Sequence, residues 1–268
     1  MGDCPRIAFR CVVASVALAV AVSASAGDWP QYRGNAARNA VTAEQLAERL
    51  HPLWAREFPP PYAPPAGTAR AQFEPGCDPV IVGKTAYIAL DGAAAVVAVD
   101  TDTGRERWRF HADYPIRYAP CATSEAVYVG DDGGNLLCLG AATGELRWKL
   151  PAAPEQGQAP YCGDLAGRWP VTCGSVLYEG RVYFAVGRRD AGKAIVVAAD
   201  AATGREVWRR EVPGVSCWGY LTAAGGVVLM PVFDAHCVHL DANTGQATLL
   251  PNNRDNRYGS LVAANRTH

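Results

Sequence analysis

Short apolar runs recur along this chain, each closed by a polar turn and followed by a stretch in which polar and apolar residues alternate. The runs at 94–99, 136–139, 195–199 and 237–240 each lead into a Thr-Gly or Ala-x-Thr-Gly turn. The alternation after the turn is the period-two pattern of a half-buried strand. A matching set of apolar segments lies upstream at 85–90, 126–129, 181–186 and 226–230, and the segments 119–122 and 173–176 take the place of innermost strands. The pattern predicts an all-β fold built from antiparallel hairpins, with tight turns at the glycines.

The turns belong to a repeat. One copy runs Val99-Asp100-Thr101-Asp102-Thr103-Gly104-Arg105-Glu106-Arg107-Trp108, and a second ends Thr143-Gly144-Glu145-Leu146-Arg147-Trp148. A third runs Asp200-Ala201-Ala202-Thr203-Gly204-Arg205-Glu206-Val207-Trp208. The fourth, Asp241-Ala242-Asn243-Thr244-Gly245, has Leu249 where the tryptophan would stand. Successive Thr-Gly pairs are 40, 60 and 41 residues apart, the period of a four-stranded propeller blade with one insertion. A tryptophan once per blade is expected to fill the wedge between neighbouring sheets; the competing role is a ladder for stacking a ligand.

Composition supports a packed core, with 49% hydrophobic and 19% charged residues over 268 positions. A formal net charge of -1 gives no footprint for nucleic acid. Arg6 and Arg10 precede an uncharged Val- and Ala-rich run ending in Ala24-Ser25-Ala26, the pattern of a secretory signal peptide over 1–26. The run is short for a spanning helix and no cysteine follows it for lipid attachment, so an exported, periplasmic or secreted chain without a membrane anchor after cleavage is expected. Export makes disulfides admissible for the seven cysteines beyond residue 26, and Cys162 with Cys173 brackets a loop that one could close.

The Asp-x-x-Thr-Gly-x-x-x-Trp pattern resembles the tryptophan-docking motif of the pyrroloquinoline quinone (PQQ) repeat family of β-propellers, from about Phe73 to Leu249. The segment Asp28-Trp29-Pro30-Gln31-Tyr32-Arg33-Gly34-Asn35 is similar to the opening of exported PQQ-like proteins. The resemblance implies a ring of seven or eight blades, of which about four are visible here. A truncated chain or an open half-ring is therefore expected in preference to a closed four-bladed ring. Residues 27–72 form an N-terminal segment, in which His51-Pro52-Leu53-Trp54-Ala55-Arg56-Glu57-Phe58 looks like an isolated outer strand and Pro59 to Pro65 a stiff connector; 73–268 hold the repeats. Residues 42–50 predict one short helix capped by Thr42.

The resemblance also implies what a quinoprotein site would need: a disulfide between adjacent cysteines, a stacked tryptophan, and Glu, Asn and Asp around calcium. No Cys-Cys pair occurs in the chain, so neither PQQ nor calcium is predicted. His236 and His239, three apart on a strand, point to opposite faces. Asp131-Asp132-Gly133-Gly134-Asn135 reads as a hairpin turn rather than a calcium loop, and no Gly-x-Ser-x-Gly elbow is present. No catalytic or metal-binding residue is assigned. What remains is a loop face carrying Arg117, Tyr118, Arg168, Trp169, Trp218 and Tyr220, residue types that either anchor a protein or ligand or pack beneath their loops, with 151–172 the place to look. The expected function is a non-enzymatic exported scaffold that binds a protein or other ligand; the alternatives are a fragment of a quinoprotein dehydrogenase and an outer-membrane assembly factor.

Overall fold

The computed structural model describes residues 27–45, 48–58, 78–90, 93–155, 157–161, 164–188, 192–232 and 237–249. The signal-peptide, Pro59-to-Pro65, Cys77, Cys162 and His236 readings lie outside them. Four antiparallel sheets follow one another in chain order. Blade 1 comprises β1 (Val80–Val82), β2 (Thr85–Leu90), β3 (Ala95–Asp100) and β4 (Glu106–His111). Blade 2 has β5 (Cys121–Ala122), β6 (Ala126–Gly130), β7 (Asn135–Gly140) and β8 (Leu146–Pro151). A separate hairpin, β9 (Gln158–Tyr161) with β10 (Asp164–Gly167), occupies the insertion. Blade 3 is β11 (Val171–Tyr178), β12 (Arg181–Arg188), β13 (Lys193–Asp200) and β14 (Glu206–Pro213), with β15 (Gly219–Tyr220) added parallel to β11. Blade 4 is β16 (Thr222–Ala224), β17 (Val227–Pro231), β18 (Cys237–Asp241) and β19 (Ala247–Leu249).

The middle strands of blades 1 to 3 are mainly apolar because both faces are covered, whereas in blade 4 buried and half-buried residues alternate along β17 and β18. On β12, Val182, Phe184 and Val186 face blade 2, where they meet Tyr128, Leu136 and Cys138. The alternate residues Tyr183 and Ala185 face blade 4 and meet Val228, Met230, Val238 and Leu240. An equivalent layer joins Tyr87, Val96 and Trp108 of blade 1 to Val127, Val129 and Leu137 of blade 2.

The repeat explains how the blades lock. In blade 1 the Asp100 carboxylate accepts hydrogen bonds from the Thr103 amide and hydroxyl, both at 2.8 Å, while the Gly104 amide donates to the Asp100 carbonyl. Blades 3 and 4 repeat this with Asp200 and Thr203, and with Asp241 and Thr244. The glycine is required twice over. Its φ is +72° at Gly144, +71° at Gly204 and +67° at Gly245, and a Cβ there would stand 2.5–2.6 Å from the indole of Trp108, Trp148 and Trp208 respectively. Each tryptophan thus docks over the turn of the next blade. Trp108 Nε1 donates to the Ala141 carbonyl and Trp208 Nε1 to that of Ala242, both at 2.9 Å. The same carbonyls accept the hydroxyls of Tyr87 and Tyr183. In the Trp148 joint the Tyr128 hydroxyl reaches the Ala201 carbonyl, but Trp148 Nε1 finds no acceptor among the described residues. Each of β4, β8 and β14 carries a register shift just ahead of its tryptophan, whereas β19, which lacks one, pairs without a shift.

Trp54 occupies the corresponding notch on blade 1. Its Nε1 donates to the Thr101 carbonyl at 2.8 Å, a Cβ on Gly104 would lie 2.7 Å from its ring, and Arg56 donates to the Gly104 carbonyl. Arg210, two residues past Trp208, makes the same bond to Gly245. Residues 51–58 thus do dock as an outer strand does, yet form no strand pairing among the described residues. Phe58 packs on the outward face of blade 1 against Ile88, Leu90, Val97 and Val99. The helix expected over 42–50 is not formed by its described residues. Thr42 only closes a local turn, its hydroxyl accepting from the Glu44 amide, because so short an exposed segment has no packing to offset the cost of helix nucleation.

Replacing Trp108 by Ala is expected to cost about 3–5 kcal/mol in urea unfolding. Trp108→Phe should cost about 1 kcal/mol more than Trp148→Phe, since only the Trp108 indole loses a carbonyl partner.

Candidate functional site at the propeller axis

The innermost strand of every blade would present an open edge of amides and carbonyls. Residues 28–40 cover all four. Trp29 exchanges two backbone bonds with Ile81 on β1, at 2.7 and 2.8 Å, and the Pro30 carbonyl accepts from Ala122 on β5. The Gln31 amide group serves β11 as a peptide would, donating to the Leu177 carbonyl at 3.0 Å and accepting from its N–H at 2.9 Å. The Ala36 carbonyl accepts from Ala223 on β16. Proline suits position 30 because only its carbonyl is used there.

Between Gln31 and Ala40 the segment coils tightly, with bonds from Gly34 to Gln31, Arg38 to Asn35 and Ala40 to Arg33. Gly34 has φ +91° with the Trp29 ring 3.1 Å from where a Cβ would sit. Arg33, Arg38 and Ala40 also adopt positive φ, a cost that their surroundings must offset. The coil delivers Arg38 into the interior, where it is 1% exposed. Its guanidinium donates to the carbonyls of Leu221 (3.0 Å), Tyr32 (2.7 Å) and Ser175 (2.7 Å). It also lies 5.1 Å from the centroid of the Tyr220 ring and 5.7 Å from that of Tyr32. Those two rings stack at 3.8 Å, and Tyr118 meets Tyr220 edge-on. Burial lowers the Arg38 pKa from its ordinary value, and burial pushes the neighbouring Cys121 thiol up to about 11.

The six residues expected on the loop face divide. Tyr220 is 3% exposed, lies on β15 rather than in a loop, and accepts from the Ala119 amide. Tyr118 donates its hydroxyl to the Thr172 carbonyl. Arg117 pairs with the buried Asp132 at 2.6 Å, and Trp169 is buried with Nε1 3.4 Å from Glu155. Tyr220 and Trp169 are packed beneath the loops, while Arg117 and Tyr118 are half-buried with their polar groups bonded within the protein. Arg168 and Trp218 keep part of their surface in solvent. The turn at 131–135 joins β6 to β7 as read from the sequence, and the aspartates do not converge: Asp131 accepts from the Asn135 amide and side chain, while Asp132 faces Arg117. Backbone bonds from Val171 to Asp131 and from Ala152 to Gly134 tie both ends of the inserted excursion to this turn. Arg38, Tyr32 and Gln31 were not singled out as site residues by sequence; the Trp-Pro-x-x-Arg-Gly stretch marked the segment but gave no sign that its polar residues are buried.

Arg38→Met should strand three carbonyls and lower stability by about 3 kcal/mol or more, with the 28–40 segment becoming cleavable in limited proteolysis. Burial pushes the Asp131 carboxyl up to about 6, well above the usual carboxylate range. The folded carboxyl therefore keeps its proton where the unfolded one has lost it, so its contribution to stability is full below about pH 4 and is lost as pH rises through about 6. Asp131→Asn should flatten the stability profile between pH 4 and 7 by roughly 1–3 kcal/mol in pH-resolved urea titrations.

Comparison with known proteins agrees with this architecture. A quinohemoprotein alcohol dehydrogenase, ADH IIB of Pseudomonas putida, is 30% identical over 132 residues, covering 44% of this chain and 18% of that protein. Among solved structures, the quinohemoprotein alcohol dehydrogenase of Comamonas testosteroni superimposes with a TM-score of 0.60 at 19% identity, over 85% of this chain and 41% of that one. BamB from Moraxella catarrhalis gives 0.52 at 20% identity, over 67% and 52%. The chain thus spans about half or less of the length of these proteins. The family described as outer membrane protein assembly factor BamB matches residues 51–167 and 158–248, the stretch that carries the four blades and the docked tryptophans, and the chain belongs to this family of PQQ-like β-propellers.

Proposed function

We propose that this chain is a non-enzymatic, exported propeller scaffold that binds a protein partner through the loops on the face bearing the 151–172 excursion. The observation that carries the reading is the axis. There the inner edges are covered by the chain's own residues 28–40, and Arg38 is committed to three backbone carbonyls between stacked tyrosines. A quinone cofactor held as the family resemblance implies would need adjacent cysteines and a carboxylate set for calcium. Cys121, the cysteine beside this cluster, has Pro120 and Ala122 as its chain neighbours, so the described residues do not fit that group.

The family description, an outer membrane assembly factor, favours a protein as the ligand. Export rests on the Arg6-to-Ala26 pattern and accords with that description. Arg168 and Trp218 are of the types that anchor protein interfaces, and both retain exposed surface.

Two measurements test this. Purified protein supplied with PQQ and calcium should show no alcohol oxidation with an artificial electron acceptor; turnover would overturn the scaffold reading. A tagged full-length chain should capture an outer-membrane assembly barrel protein from solubilised envelopes, and the Arg168→Ala, Trp218→Ala double variant should reduce capture about tenfold or more at unchanged melting temperature.

A further inference from the structure

Cys173 and Cys217 lie far apart in the chain and meet in the core between blades 3 and 4, exposed by 0% and 1%. Three local features bring them together. A register shift between Val171 and Cys173 marks a bulge in β11, which turns the successive side chains of Thr172 and Cys173 toward one side. The parallel pairing of β15 sets Gly219 opposite Cys173, so Cys217 enters two residues upstream, held by its own bridge to Val232. Gly187 on β12 leaves the space for sulfur: a Cβ there would stand 2.8 Å from Thr172 Oγ1 and 3.5 Å from Cys217 Sγ. The result is that Cys217 Sγ lies 2.8 Å from Thr172 Oγ1, on the residue next to Cys173, and the two thiols, both free in the structure, share one buried core cluster.

We propose that Cys173 and Cys217 are the two halves of a disulfide formed when the chain folds in an oxidising compartment, stapling the inner strand of blade 3 to the segment that enters blade 4. The step is thiol–disulfide exchange with a disulfide-carrying oxidant. A thiolate of one cysteine opens the oxidant's S–S bond to give a mixed disulfide, and the second cysteine displaces it. The protein loses two electrons and two protons, the Cys173–Cys217 bond forms, and the oxidant leaves as two thiols. Burial pushes the Cys173 thiol well above its usual range, so little thiolate exists once the blades have closed. The exchange therefore belongs before blade 4 packs on blade 3. The staple closes the loop 173–217, which holds the docking turn of blade 3 and Trp208.

Refolding the full chain in a reduced and oxidised glutathione buffer, then denaturing, alkylating and digesting it, reads the bond directly. The expected product is a linked peptide pair containing Cys173 and Cys217. Reduction of that material should lower its melting temperature by roughly 10 °C, and Cys173→Ala, Cys217→Ala and the double variant should each remove this reductant-dependent shift without adding to one another. Recovery of both residues as alkylated thiols from natively folded protein after oxidative refolding, or linkage of Cys173 to Cys162 instead, overturns the proposal. Because the linkage is read on the unsubstituted chain, a variant that fails to fold does not affect the outcome.

Discussion

A flat indole resting on a backbone that has no side chain is the contact on which the rest of this molecule depends. The ring of Trp108, Trp148 or Trp208 comes so close to the glycine of the following blade that any Cβ would overlap it, and the same glycine needs a positive φ to end its turn. Neither requirement can be met alone. The turn must close for the glycine to be presented, through Asp and Thr in blades 1, 3 and 4 and through the Gly144-to-Gly140 backbone bond in blade 2, and the outer strand must carry its register shift for the indole to be aimed. Each blade therefore fixes the position of the next, and the interblade layers of Val, Ala, Leu and Tyr pack in the geometry that docking sets. The notch on blade 1 has no preceding blade among the described residues, and Trp54 supplies the ring instead.

Stacking blades in this way leaves a second problem at the inner edge, where four strands end in unpaired peptide groups. The solution is economical in chain: residues 28–36 reach β1, β5, β11 and β16 in turn, with Gln31 using its side-chain amide as a substitute peptide. Arg38 then anchors the segment from its far end. Its bonds to Ser175 and Leu221 bridge blade 3 and the strand leading into blade 4, so the segment cannot lift from one blade without releasing the other.

The blades were legible in the sequence because their determinants are local and repeated. The Thr-Gly pair recurs in every copy, with Asp in three of the four and Trp in three of the four at fixed spacing, and the apolar runs before each turn are the strands that the structure forms, from Ala95–Asp100 to Cys237–Asp241. The expected helix over 42–50 failed because capping and composition describe a tendency, and no surface exists there to stabilise it. The axis was illegible for a different reason. Gln31 and Arg38 lie in a polar stretch that looks solvated, and their burial is created by carbonyls 137 or more residues away, such as Leu177, Ser175 and Leu221. Trp169 and Tyr220 show the reverse effect: residue types that suit an exposed anchor are covered by contacts with Glu155, Tyr32 and Ala119 that no local pattern announces.

These two sets of contacts, docking at the rim and sealing at the axis, involve different residues from those that hold the loops between blades. That separation is why one scaffold can be shared by proteins described as dehydrogenases and as an assembly factor. Chemistry would require the axial space or the loop face to be furnished with further groups, and here the axial space holds a buried cation instead. An ionised guanidinium is tolerable inside only when it is well hydrogen-bonded, and Arg38 makes its three carbonyl bonds only with the coil of 31–40 in place. Charge burial and docking of the segment are therefore one event: to open the axis for a ligand, the chain would have to withdraw Arg38, and with it the strand-edge bonds of Trp29, Pro30, Gln31 and Ala36 that close the inner faces of all four blades.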